Sequence, residues 1–191
     1  MTNKFTKKNS GFTLVEAMVA VLILTLTVAS LMTVVANSLF TARYASDDIT
    51  ASYLMQEAVD YIRNDRDSSI FLQNSTWDEF KHKYDNCLPE VNGCYLDVVN
   101  KEGTEPLPAP YFVSTHYLYY DDHAETTPYY VTDTGPDSIS GMLKTSFQRK
   151  IVVTNMPETP DEMDIAVTVT WLNGGSVKTR TLTSTLTNWQ Q

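Results

Sequence analysis

An uncharged stretch of 26 residues, Ala17–Ala42, limits what this chain can fold into. As a helix it would be long enough to cross the roughly 30 Å hydrocarbon core of a bilayer. The first eleven residues contain Lys4, Lys7 and Lys8 and no acid, so the positive-inside bias places that end in the cytoplasm. A cleaved secretion signal would have a shorter apolar core followed by a small-residue cleavage site. The sequence therefore predicts a membrane helix that is retained.

A single carboxylate, Glu16, lies at the start of this apolar segment. A charge in a membrane helix is costly and is by default a functional-site hypothesis with a partner to be named. It could interact with a nearby amine of its own chain, or pair with the amine of a neighbouring chain and fix axial register. The other interpretation is a plain membrane anchor whose acid lies near the headgroups.

The residues around Glu16 form a motif, Ser10-Gly11-Phe12-Thr13-Leu14-Val15-Glu16. With the basic leader and the apolar run, over roughly residues 7–40, it resembles the cleavage motif of type IV pilins and type II secretion pseudopilins. The resemblance implies that a prepilin peptidase cuts after Gly11 and N-methylates the new terminal residue, Phe12. It also implies that Glu16 is the carboxylate that meets the Phe12 amine during assembly.

Two further features bear on the subtype. Many major pilins have a proline where this chain has Thr33. The stretch from Ala51 to Asp67 is similar to a helix of minor pilins of the PilV type. The resemblance therefore favours a minor pilin or pseudopilin over a bulk filament subunit.

The sequence predicts an α+β fold. Nothing local interrupts a helix from Phe12 to about Asp65, since the first proline of the chain is Pro89. The first half of this helix is apolar all round and the second half is amphipathic, which suits packing on a C-terminal antiparallel sheet. The expected organisation is a leader peptide at 1–11, a transmembrane and assembly helix at 12–42, and an exported domain at 43–191.

Alternation of apolar and polar residues predicts the strands of that sheet. The clearest alternation lies in Phe147–Val153 and Ile165–Trp171. A hairpin turn at Asn173-Gly174-Gly175 and a Thr-rich strand follow it. A short capped helical turn is expected at Thr76–Phe80. The predicted strands are Tyr95–Val99, Tyr111–Tyr120, Pro128–Thr132, Phe147–Val153, Ile165–Trp171 and Val177–Trp189.

Cys87 and Cys94 are separated by six residues that include Pro89 and Gly93. This spacing suits a short disulfide-closed loop in an oxidising compartment, and a pair of free thiols is the alternative. Neither cysteine has the spacing of a zinc ligand.

The formal net charge of −9 argues against direct nucleic-acid binding, which requires basic patches. Hard cations bind several oxygens from flexible loops, so an acidic segment could hold calcium, although a solvated acidic loop is the commoner outcome. No cofactor is otherwise indicated, and the absence of established catalytic motifs predicts a chain that is not an enzyme. The calcium candidates are Asp121, Asp122, Glu125, Asp133 and Asp137.

The resemblance implies a structural role. After processing, the chain would wait in the inner membrane with its N-terminus cytoplasmic, and would then enter an extracytoplasmic pilus or pseudopilus. Its partners would be other pilin or pseudopilin subunits, the prepilin peptidase, the assembly platform and inner-membrane lipid. The alternative is a membrane-anchored adhesin or binding module whose tyrosine- and acid-rich loops contact a partner. The tyrosines concerned are Tyr111, Tyr117, Tyr119, Tyr120, Tyr129 and Tyr130.

Overall fold

The computed structural model describes residues 11–96, 109–110, 117–121, 129–132 and 141–189. Two compact units are present, Met1–Tyr44 and Ala45–Gln191. The expected α+β architecture is confirmed, with a long N-terminal helix followed by an antiparallel sheet.

Helix α1, Leu14–Gln73, is longer at its C-terminal end than predicted. It ends where Asn74 adopts a left-handed conformation with φ 52°, and the N–H of Ser75 donates to the carbonyl of Ser69 at 3.0 Å. A left-handed residue of this kind commonly follows the end of a helix. The predicted end near Asp65 was wrong because no helix-breaking residue occurs before Asn74, and Ile70 is still buried on the inner face.

The two parts of α1 differ in burial. Every residue from Leu14 to Arg43 is exposed. From Ala51 onward one face is buried at helical spacing, as the amphipathic pattern predicted. The buried apolar residues of this face are Ala51, Leu54, Met55, Ala58, Val59, Ile62 and Ile70.

Helix α2, Trp77–Lys83, begins with a capping box. The backbone N–H of Glu79 donates to the Thr76 hydroxyl at 3.3 Å, and the N–H of Thr76 donates to the Glu79 carboxylate at 2.7 Å. Trp77 and Phe80 are buried on one face. The short capped helix predicted at Thr76–Phe80 is confirmed.

The sheet is antiparallel throughout the part of the chain that the structure describes. The strands are β1 Cys94–Tyr95, β2 Ala109–Pro110, β3 Tyr117–Asp121, β4 Tyr129–Thr132, β5 Leu143–Asn155, β6 Glu162–Asn173 and β7 Ser176–Thr187. Strand β5 pairs along one edge with β6, and along its other edge with β1 and β3. In addition, β2 pairs with β1, β4 pairs with β3, and β7 pairs with β6.

The three long strands confirm the alternation read from the sequence. Ile151 pairs with Val167, and both are fully buried on the inner face. The turn between β6 and β7 contains Gly174 and Gly175 with φ of 58° and 80°, as a two-residue hairpin turn requires. The other buried apolar side chains of β5 and β6 are Phe147, Val153, Met163, Ile165, Val169 and Trp171.

The shorter strands were placed less accurately. β4 matches its prediction within one residue, and β3 begins at Tyr117. β1 covers only Cys94 and Tyr95, while residues 97–99 and 111–116 of the predicted strands lie outside the described residues. The two-residue strand β2 was not predicted, since two residues contain no alternation to detect.

Polar contacts join α1 to the sheet within the second unit. Arg63 Nη2 donates to the Ser184 hydroxyl at 2.9 Å, and Arg180 Nε donates to the Asp48 carboxylate at 2.7 Å. These solvent-exposed contacts add to the apolar packing between α1 and the inner face of the sheet, which forms the core of the unit.

Candidate functional site: the N-terminal processing and assembly segment

The segment before α1 is not helical. Gly11, Phe12 and Thr13 precede the first helical residue, Leu14, and all three are exposed. Phe12 is 73% exposed. The predicted scissile bond, Gly11–Phe12, therefore lies outside the helix.

Thr13 is the N-cap of α1. Its carbonyl accepts the N–H of Ala17 at 3.2 Å, and its hydroxyl accepts the N–H of Glu16 at 3.3 Å. The hydroxyl thus satisfies one of the N–H groups that have no partner within the helix. The Thr-x-x-Glu pattern at residues 13–16 is a capping signature that could have been read from the sequence.

Glu16 is the third residue of α1 and its side chain is exposed. A carboxylate in the first turn interacts favourably with the positive end of the helix dipole. Among the residues that the structure describes, no basic side chain contacts it. Its exposure makes the carboxylate accessible from outside the chain.

The hydroxyl groups along the apolar part of α1 bond to the helix itself. Thr25 donates to the carbonyl of Leu22 at 2.9 Å, and Thr33 donates to that of Ala29 at 3.1 Å. Hydrogen bonds of this kind allow Ser and Thr to face lipid, because no donor is left unsatisfied. The same contact is made by Thr27, Ser30, Ser38 and Thr41.

By length and composition, α1 is able to cross a membrane. Its most apolar window of 18 residues has a mean hydropathy of 2.5, and none of that window is buried within the chain. Helix α1 continues without interruption through Thr33, the position at which many major pilins carry proline.

Comparison with known protein families agrees with this geometry. The chain carries a prokaryotic N-terminal methylation motif. The family model of that description matches residues 6–32, which contain Gly11, Phe12 and Glu16. The match covers this N-terminal segment alone, so it shows the motif and not the family of the whole chain. No curated protein and no solved structure matched the chain.

Cys87 and Cys94 form a disulfide, as the spacing predicted. Two short 3-10 helices, Asp85–Cys87 and Pro89–Val91, lie in and beside the loop that the disulfide closes. Both cysteines are fully buried, and Cys94 lies in β1 opposite Ile151. The bond thus ties the loop after α2 to strand β1, which lies between β2 and β5.

The calcium hypothesis receives no support from the described part of the chain. Asp121 ends strand β3. Asp122, Glu125, Asp133 and Asp137 lie outside the described residues. Within residues 11–96, 109–110, 117–121, 129–132 and 141–189, no group of three or more His, Cys, Asp or Glu side chains is arranged to hold a metal.

A cleft of about 430 Å³ lies between the second half of α1 and strand β4. Tyr53 and Tyr130 line it together with the carboxylates of Glu57 and Asp60. Burial, and then the nearby phenol of Tyr120, raise the pKa of Tyr130 above its usual 10.0.

Of the tyrosines noted in the sequence, Tyr117, Tyr119, Tyr120 and Tyr130 are half-buried.

Sequence reasoning did not single out Arg149, the most buried charged residue in the part of the chain that the structure describes. Its side chain is 2% exposed and lies on the inner face of β5, where the strand pattern would place an apolar residue. Its presence at an inward position of an alternating strand was the available signal.

Proposed function

We propose that the chain is a minor type IV pilin or pseudopilin, a structural and assembly subunit of a pilus or secretion pseudopilus. The observation that carries the proposal is the methylation motif, which ends in an exposed apolar helix able to cross a membrane. The folded unit at the other end of the chain is acidic and disulfide-bonded, which suits an oxidising compartment outside the cytoplasm.

In this proposal a prepilin peptidase removes residues 1–11 and methylates the amine of Phe12. The resulting amine belongs to a residue shortly before Glu16 in sequence, in a chain whose apolar helix anchors it in the inner membrane. Transfer from lipid to a filament exchanges lipid contacts for helix–helix contacts. Pairing of Glu16 with the Phe12 amine of a neighbouring subunit would set the axial register.

The leader carries three lysines before the apolar segment, which supports an inserted orientation with the N-terminus in the cytoplasm. The assembly platform and the peptidase would be separate chains. The role is structural and involves no catalysis or cofactor. Thr33 in place of proline supports a minor subunit.

Co-expression of the full chain with a prepilin peptidase tests the proposal. Intact-mass spectrometry should show loss of residues 1–11 and one added methyl group on Phe12. A control variant, Gly11→Val, should remain uncleaved. The structure places nothing within 4 Å of a side chain at Gly11, so this change alters recognition by the peptidase rather than folding.

Retention of the leader in the unmodified chain, or cleavage beyond residue 30, would contradict the proposal. Equal cleavage of Gly11→Val and the unmodified chain would show that the motif is not the recognised element.

A second candidate function is a membrane-anchored binding module, and the cleft beside Tyr53 and Tyr130 favours it. Aromatic rings attract cations, and the cleft also contains the carboxylates of Glu57 and Asp60. The Tyr53 side chain is 68% exposed at its rim. Because Glu57 already pairs with Arg149, the two rings and the exposed Asp60 carboxylate are the groups that would receive a lysine or arginine side chain of a protein partner.

A blocked Leu-Arg-Leu peptide, compared with the uncharged Leu-citrulline-Leu peptide, tests the binding module. Tighter binding of the arginine peptide to the full chain in detergent is expected, with loss of the difference in Asp60→Asn. Asp78→Asn is the matched control, because Asp78 is an exposed acid on α2 outside the cleft lining. Equal binding of both peptides would remove this candidate.

A further inference from the structure

The start of α1 determines whether the Gly11–Phe12 bond is helical or not. The structure begins the helix at Leu14 and leaves residues 11–13 outside it. The contact that marks this boundary is the side-chain bond from the Glu16 N–H to the Thr13 hydroxyl at 3.3 Å. This hydrogen bond competes with a longer helix, in which another turn would include Phe12.

The alternative matters for hydrolysis of the bond. In a helix that extended backward, the Gly11 carbonyl would accept the N–H of Val15. Cleavage requires water to add to the Gly11 carbonyl carbon, the C–N bond to Phe12 to break, and the amine of Phe12 to leave with a proton. A peptidase stabilises the developing oxyanion with its own donors, so the carbonyl must be free of the helix.

The apolar residues around this boundary favour the longer helix. Phe12, Leu14 and Val15 are all apolar, and nothing in the side chain of Phe12 would stop the helix. Near lipid an unsatisfied N–H is costly, so a helix without its cap gains by extending. The Thr13 hydroxyl removes that gain, because it already satisfies the N–H of Glu16.

We propose that Thr13 is a positioning residue for processing: its cap starts α1 at Leu14 and holds the Gly11–Phe12 bond outside the helix, accessible to the peptidase. This inference rests on the proposed function, since it concerns cleavage at that bond. It assigns Thr13 a role through the backbone rather than through direct contact with the peptidase.

The test compares cleavage rates of full-length variants by prepilin peptidase in membranes. Thr13→Val keeps the shape and removes the hydroxyl, and its cleavage should be about fivefold slower, the factor that corresponds to loss of a typical N-cap. Thr13→Ser and Thr13→Asn both cap helices and should be cleaved within about twofold of the unmodified rate. Thr25→Val is the control, because its hydroxyl bonds to the Leu22 carbonyl inside the helix.

A second measurement separates capping from recognition. The carbonyl carbon chemical shifts of Gly11 and Phe12 should move towards helical values in Thr13→Val and stay unchanged in Thr13→Asn. Slow cleavage of Thr13→Asn together with unchanged shifts in Thr13→Val would overturn the capping role in favour of direct recognition.

Failure of this inference is distinguishable from failure of the proposed function. If the unmodified chain is not cleaved at Gly11–Phe12, both fall. If the unmodified chain and Thr13→Val are cleaved at the same rate, only the role of Thr13 is overturned.

Discussion

Arg149 Nη1 donates to a carboxylate oxygen of Glu57 at 2.6 Å, which links strand β5 to helix α1 through a buried guanidinium. The same guanidinium donates to the carbonyl of Leu54 at 3.1 Å and to that of Leu96 at 3.0 Å. One side chain therefore connects the helix, the central strand and the residue that follows β1. An arginine is suited to this place because the N–H donors of its planar guanidinium point in several directions at once.

Removal of the acid should destabilise the domain. Glu57→Ala leaves the Arg149 charge buried without its carboxylate, and we expect a loss of about 2 kcal/mol in the free energy of unfolding. The loss is smaller than for a fully buried pair, because the Glu57 side chain is 37% exposed. Denaturant unfolding of the full chain in detergent measures it, with the exposed Glu90→Ala expected to change stability by less than about 0.5 kcal/mol.

A double-mutant cycle makes this prediction specific. The Glu57→Ala and Arg149→Met losses should not add, because each removes the same contact, and the coupling should exceed about 1 kcal/mol. Additive losses would show that the two side chains act independently.

Gly93 should tolerate substitution far less well than Gly141. Both have left-handed backbones, with φ of 78° and 82°. A Cβ on Gly93 would lie 2.5 Å from the Ile151 carbonyl oxygen, whereas one on Gly141 meets nothing within 4 Å. Gly141→Ala should cost about 1 kcal/mol from backbone strain alone, and Gly93→Ala about 3 kcal/mol or more.

The two glycine variants control for each other in the same unfolding experiment. Equal losses would mean that the close approach of the disulfide loop to β5 is not rigid. The Lys150 ammonium donates to the Asn92 side-chain carbonyl at 2.7 Å, which also holds this loop against the strand.

The capping box of α2 should give the domain an acid-sensitive component. Hydrogen bonds from the backbone N–H and then the hydroxyl of Thr76 lower the pKa of Glu79 from its usual 4.5. Because the folded pKa lies below the unfolded one, this contribution is complete above pH 4.5 and is lost as the pH falls through the folded pKa. Glu79→Gln removes the titration, so its stability should vary less with pH below 4.5.

Comparison of unfolding midpoints at pH 7 and at pH 3 measures this difference, with the exposed Glu90→Gln as control. Thr76→Ala, which loses the cap itself, should cost about 1 kcal/mol at pH 7. A pH profile of Glu79→Gln identical to that of the unmodified chain would contradict the assignment.

The elements with strong periodicity were predictable from sequence and the contacts between elements were not. Local sequence patterns predict β5, β6 and the Gly174–Gly175 turn, since alternation of apolar and polar residues indicates the strands and the paired glycines indicate the turn. Pairing of Arg149 with Glu57 joins residues 92 positions apart, and no local pattern encodes it. The disulfide was predictable because its two cysteines are close in sequence.

The N-terminal site divides in the same way. Gly11, Phe12 and Glu16 were recognisable from a motif, and the hydroxyl–amide contact of Thr13 with Glu16 was readable from the Thr-x-x-Glu spacing. In the proposed function the partner of the Glu16 carboxylate is an amine created by cleavage on a second chain. A partner of that kind follows neither from a local sequence pattern nor from the fold of one chain.

Neutralisation of Glu16 should impair assembly and leave earlier steps intact. Glu16→Gln retains the backbone N–H that donates to Thr13, so the helix start is preserved while the charge is removed. Membrane insertion and leader cleavage should therefore be unchanged. Incorporation into sheared filaments, measured by immunoblot against the membrane pool, should fall about tenfold, as expected for loss of a charge-assisted contact in an apolar environment. Glu16→Leu and Glu16→Ala should lose incorporation to the same extent as Glu16→Gln, whereas the exposed Glu90→Gln should assemble normally. Undiminished incorporation of Glu16→Gln would show that the carboxylate serves the first turn of α1 through the helix dipole and not the contact between subunits.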